Sequence, residues 1–114
     1  MNRRRYEILL PAQYNDGRVI MHECMQCFPQ TLMEVLDQFG ALSYSPHSLQ
    51  GVWSYQGKRY EDELFKLTVD VEDIAESRGF IAHLRQELLE RFAQLEIYVV
   101  SYPIEVLSEE EMRG

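Results

Sequence analysis

The sequence predicts an α+β domain of the ferredoxin-like, split βαβ type: a four-stranded mixed sheet of order 4-1-3-2 with two helices on one face. Three observations lead there. Leu64 to Val71 alternates apolar and polar positions, so Phe65, Leu67, Val69 and Val71 share one face of a strand. Two stretches, 28–39 and 74–93, repeat apolar residues at helical spacing and can cover that face. The elements run strand, helix, strand, strand, helix, strand, and right-handed crossovers then place both helices on the same side. With 114 residues, 46% of them hydrophobic, the chain 1–114 has the length and composition of one domain with one core.

Strand one is Arg4 to Leu10, with Tyr6, Ile8 and Leu10 on one face; Pro11 then removes a ladder donor. Ala12 to Ile20 contains Asn15, Asp16 and Gly17, residues that tolerate positive φ and favour a tight reversal in a small projecting hairpin. Phe28, Leu32, Val35, Leu36 and Phe39 form the stripe of helix one, with Pro29 suited to its first turn and Gly40 to the position past its end. Leu42 to Tyr44 and Val52 to Tyr55 read as one strand interrupted by Ser45–Ser48, whose Pro46 suits only an edge or a bulge. Gln56–Gly57 turns this strand into the third, Lys58 to about Glu72. Asp73 and Glu76 have capping-box spacing ahead of helix two, whose stripe is Ile81, Leu84, Leu88 and Phe92, with Glu87 and Arg91 paired outside it. Ile97 to Val106 is the last strand, and its Pro103 fits an edge position. Residues 108–114 are an acidic tail, frayed or in a short helical extension.

Eleven Lys and Arg against nineteen Asp and Glu give a net charge of −8, which repels phosphate backbones and anionic lipid headgroups. Nucleic acid and membrane are therefore not expected as partners. No apolar run approaches the roughly 20 residues of a membrane span, and Met1 to Arg5 leads into strand-like alternation, which points to the cytoplasm. Seven tyrosines and Trp53 raise the question of a base-stacking sheet, but Leu64 to Val71 has no basic, glycine-aromatic run of the RNA-recognition kind.

Arg5–Ile8, Tyr14–Arg18, Val69–Val71 and Ser101–Glu105 together resemble small, uncharacterised single-domain bacterial proteins of ferredoxin-like α+β fold. That resemblance implies the fold and carries over no activity and no functional residue. Cys24–Cys27 lies outside the shared pattern.

Candidate chemistry is sparse. His22, Cys24 and Cys27 place a Cys-x-x-Cys just ahead of helix one, where amide dipoles lower a thiol pKa. As a redox pair it lacks the aromatic and proline surroundings of thioredoxin-like sites. As a zinc site it offers three ligands and needs a fourth from His47, water or another subunit. No cofactor is expected otherwise, and two cysteines so close are not a secreted-type disulfide framework. His83 pairs with Glu87 on a helix surface, and His47 beside serines lacks an acidic orienter, so no catalytic residue is assigned.

Two function classes follow. The leading one is a non-enzymatic module working through self-association, because strand four is apolar on both faces. Ile97 and Val99 point one way and Tyr98, Val100, Tyr102, Ile104 and Val106 the other, with Leu9 and Leu64 adding to the second face. A two-fold homodimer packed through that face, with Glu7, Lys66 and Asp70 pairing within or across it, is the expected form. The alternative is a small-molecule enzyme or binder with a pocket under the 12–27 loop, where Tyr14, Asp16, Arg18 and His22 are the polar candidates.

Overall fold

The computed structural model describes residues 2–45 and 47–113, so the expectation placed on Pro46 lies outside the described residues. Nine elements follow in order: β1 (Arg3–Pro11), α1 (Ile20–Glu23), α2 (Cys27–Phe39), β2 (Ser43–Tyr44), β3 (Leu49–Tyr55), β4 (Lys58–Glu72), α3 (Ala75–Arg91), β5 (Val99–Ile104) and α4 (Glu109–Arg113). They build an α+β domain around one antiparallel sheet of five strands. No described helix is long and apolar enough to cross a membrane.

The sheet departs from the expected one in strand number, direction and order. Every pairing is antiparallel, so the sheet is not mixed. Its order is β2-β4-β1-β5, with β3 also paired to β4, in place of a four-strand 4-1-3-2. The fifth strand comes from the break after Tyr44. Instead of bulging and continuing, the expected second strand becomes two, β2 against Thr68 and Leu67 and β3 against Leu64 to Lys58. Strand β4 serves both and runs for 15 residues, about 50 Å at 3.4 Å per residue, close to the 52 Å long axis of the molecule.

The core is where the alternation put it. Tyr6, Ile8 and Leu10 of β1 and Leu67, Val69 and Val71 of β4 are buried, and the register Tyr6↔Val69 and Ile8↔Leu67 sets them side by side on one face. Val35 of α2 and Ile81, Leu84 and Leu88 of α3 cover them, with Phe92 and Ile97 closing the end. Helix α2 ends as its sequence predicts: Gly40 takes φ 80°, and its N–H donates to the Leu36 carbonyl at 2.8 Å.

Helix α3 starts differently. Ile74 occupies the N-cap without a side-chain hydrogen bond. Asp73 does not cap; it faces Arg4 at 3.2 Å and Arg78 at 3.4 Å, tying the helix start to β1. Between the helices lies Arg91, largely buried, which donates to Thr31 Oγ1 at 2.8 Å and to Glu34 Oε1 at 2.9 Å and pairs with Glu87 at 3.4 Å. A buried guanidinium with several acceptors is costly to unpair, so this cluster fixes how α2 and α3 sit on each other.

Candidate functional site

The face of the sheet turned away from α2 and α3 divides into a polar centre and an apolar end. Register dictates the centre: Arg5 stands opposite both Asp70 and Tyr102, and Glu7 opposite Thr68 and Val100. Arg5 donates to both Asp70 oxygens, at 2.6 and 2.8 Å, a bidentate pair that leaves Asp70 below and Arg5 above its ordinary pKa. Tyr102 donates to Glu7 Oε2 at 2.6 Å, and that hydrogen bond raises the phenol's pKa. Glu7 and Asp70 therefore find partners in Tyr102 and Arg5 within the chain, not in Lys66 as the sequence suggested. Lys66 makes no ion pair among the described residues.

At the apolar end, Leu9, Pro11, Val52, Trp53, Leu64 and Tyr98 line a groove of about 250 Å³ rimmed by Asp62, Gln94 and Glu96. Gly51 lies in its wall, where a Cβ would meet Leu64 Cδ1 at 2.8 Å and oblige that side chain to shift. Above the groove, the β3–β4 ribbon leaves the body. Strand β1 pairs with β4 only from Leu64 onward, and Glu63 still accepts from the Ala12 N–H, so among the described residues β4 from Lys58 to Asp62 has β3 as its sole strand partner. Ring stacking of Trp53 on Tyr60 (centroids 4.4 Å apart) and a Trp53 Nε1–H donated to Asp62 hold this ribbon together internally. Its outward residues include Leu49, Val52 and Tyr55, Val52 being 66% exposed, and Tyr98 at the groove is 60% exposed.

The sequence-predicted ligand residues lie elsewhere. Tyr14, Asp16 and Arg18 form a self-contained turn: Tyr14 N–H donates to the Arg18 carbonyl, and Arg18 donates to Asp16 Oδ2 at 2.7 Å while its guanidinium rests over the Tyr14 ring. The Arg18 backbone N–H and side chain lower the Asp16 pKa. His22 is exposed on α1. A cavity of about 190 Å³ touches the 12–27 connection at Met21, its other walls being Leu10, Phe28, Leu32, Tyr44 and Phe65, and none of the four polar candidates lines it.

Cys24 and Cys27 are joined as a disulfide. Among the described residues no group of three or more His, Cys, Asp and Glu is arranged to hold a metal. His83 Nε2 lies 2.7 Å from Glu87 Oε1 on the exposed side of α3, and Ser45 serves the turn at His47 by donating to its carbonyl. Sequence reasoning missed Trp53, Tyr60 and Asp62 as a unit. The signal was present in the two-residue turn Gln56–Gly57, which sets Trp53 opposite Tyr60 by counting outward.

No protein-family model matches the sequence, and no curated protein does. Solved structures match the fold. CutA1 from Oryza sativa superposes with a TM-score of 0.63 at 9% identity, over 96% of this chain and 86% of that one. The divalent cation tolerance protein Cut A1 from Thermus thermophilus gives 0.62 at 12%, over 97% and 92%. A phage SAM lyase in complex with S-methyl-5'-thioadenosine gives 0.62 at 13%, over 91% and 90%. The class defined is thus an α+β fold of CutA1-like architecture, shared at identities that speak for the fold alone.

Proposed function

We propose that the chain is a self-associating interaction module whose copies join through the β3–β4 ribbon and the apolar groove at its root. The observation that carries this is the ribbon itself. An isolated two-stranded ribbon is marginal in water unless something packs on it, and here it extends from the body with Leu49, Val52 and Tyr55 turned outward. Apolar residues grouped with the groove around Leu9, Leu64 and Tyr98 are what a contact between copies would cover.

The polar centre of the same face shapes how copies meet. Arg5, Asp70, Glu7 and Tyr102 already satisfy one another, so burying them gains little, whereas the apolar end gains from burial. Contact concentrated at the groove and ribbon therefore fits better than two sheets stacked squarely as a homodimer. Leu49→Lys, on the face of Leu64 by register, combined with Tyr98→Lys puts two charges into that contact. Sedimentation velocity should then show the variant as a 13.5 kDa monomer at concentrations where the unaltered chain is larger. Equal sedimentation of both chains refutes the proposal.

A second reading, a small-molecule binder, has the 190 Å³ apolar cavity between Met21, Phe28 and Phe65 in its favour. S-methyl-5'-thioadenosine, held by the similar phage lyase, is the natural first probe. On this reading millimolar probe raises the melting temperature and Phe28→Ala abolishes the rise; an unmoved melting temperature removes that ligand class.

A further inference from the structure

The chain's two cysteines lie in the connection between β1 and α2, apart from the ribbon and groove. Cys24 follows α1 and is half-buried, while Cys27 opens α2 and is 1% exposed. Backbone contacts hold them together in addition to the S–S bond. Cys24 N–H donates to the Ile20 carbonyl at 2.7 Å and Cys27 N–H to the Cys24 carbonyl at 3.3 Å.

A second observation comes from the far end of α3. Its last carbonyls need partners beyond the helix. Phe92, Gln94 and Ala93 donate to those of Leu88, Leu89 and Glu90. Among the described residues no backbone N–H reaches the Arg91 carbonyl; its neighbour is Cys27 Sγ at 3.6 Å. A disulfide sulfur has no proton to donate, but a thiol does. Reduction would therefore give the Arg91 carbonyl its donor, in place, without moving either helix.

We propose that Cys24–Cys27 is a thiol–disulfide exchange site, entered at Cys24, for a dithiol partner. The partner's thiolate attacks Cys24 Sγ and the S–S electron pair leaves on Cys27 Sγ. A proton from water converts Cys27 to the thiol that donates to the Arg91 carbonyl. The partner's second thiolate then attacks its own sulfur bound to Cys24, and Cys24 leaves and is protonated. One disulfide and one dithiol have become two thiols and the partner's disulfide, a transfer of two electrons. Cys24 is the entry point because Cys27 is 1% exposed and offers no surface, whereas Cys24, packed at the edge of the core, is only half-buried.

The test uses the full chain, reduced with dithiothreitol under nitrogen and pulsed with iodoacetamide before peptide mapping. Cys24 should be alkylated at least about tenfold faster than Cys27, as expected of an exposed against a buried thiol. Protein kept with oxidised glutathione should instead take up no label. Near-ultraviolet circular dichroism should be the same in both states. Equal alkylation rates, free thiols in oxidised glutathione, or loss of the near-ultraviolet spectrum on reduction each overturn the proposal. Cys27→Ser provides an independent check: it should retain glutathione on Cys24 as a mixed disulfide, and Cys24→Ser should retain none. The opposite pattern overturns entry at Cys24.

Discussion

Val69 shows what one position carries. It lies at the sheet centre, 1% exposed, opposite Tyr6 and beneath the helices. Val69→Asp places a carboxylate there without a partner, at a cost of several kcal/mol out of the roughly 5 to 15 available to a domain. Insoluble or unfolded protein is expected on expression; a melting temperature close to that of the unaltered chain would contradict the core assignment. Asp70, the next residue, faces the opposite way and is readable through pH. Its carboxyl pKa is lowered in the folded state by the hydrogen bonds from Arg5. The stabilisation is therefore complete above the ordinary aspartate value near 3.9 and is lost as pH falls from there through the lower folded value. Asp70 and Arg5 side chains are 30% and 39% exposed, so solvent screening keeps the effect small. Stability curves against pH for Asp70→Asn and the unaltered chain should be separate above about pH 4 and draw together as pH falls below it. Curves that stay parallel throughout would contradict the pairing.

At the scale of elements, what was legible depended on whether the local signal had one reading. Helix α2 had three agreeing signals: the stripe, Pro29 and Gly40. Gly40→Ala keeps open space around the new Cβ but imposes φ 80° on an L-residue. It should cost about 1 kcal/mol, or roughly 5 °C of melting temperature. No change in melting would mean that the helix ends elsewhere. The break after Tyr44 had no such agreement, since a proline-containing interruption fits a bulge and a strand change equally, and only the long-range choice of partners on β4 separates them. That choice produced two strands, both paired to β4. Asp73 was misread for a related reason. Its spacing to Glu76 suits a cap, but the fold brings Arg4 within 3.2 Å, and a carboxylate beside a guanidinium has a stronger competitor than a backbone N–H. The candidate site was legible as a surplus of apolar residues on strand four. Its concentration at one end was not, because Arg5, Asp70, Glu7 and Tyr102 satisfy one another only once register is set.

For the whole molecule, the proportions follow from β4. One strand long enough to serve the body and then the ribbon gives extents of 52 by 27 by 27 Å. The chain also carries a net charge of −8, and self-repulsion between copies opposes any contact made at low salt. Apolar contact combined with charge repulsion has a definite signature, since added salt screens the repulsion over about 8 Å at physiological strength and leaves the apolar contact intact. Light scattering coupled to size exclusion, on the unaltered chain at micromolar concentration and at two salt levels, is thus the most direct measurement of self-association through the ribbon and groove. A mass of two or more times 13.5 kDa, holding or growing as salt is raised from about 20 to 150 mM, is expected. A mass of 13.5 kDa at both salt levels, unchanged on concentration, would contradict it.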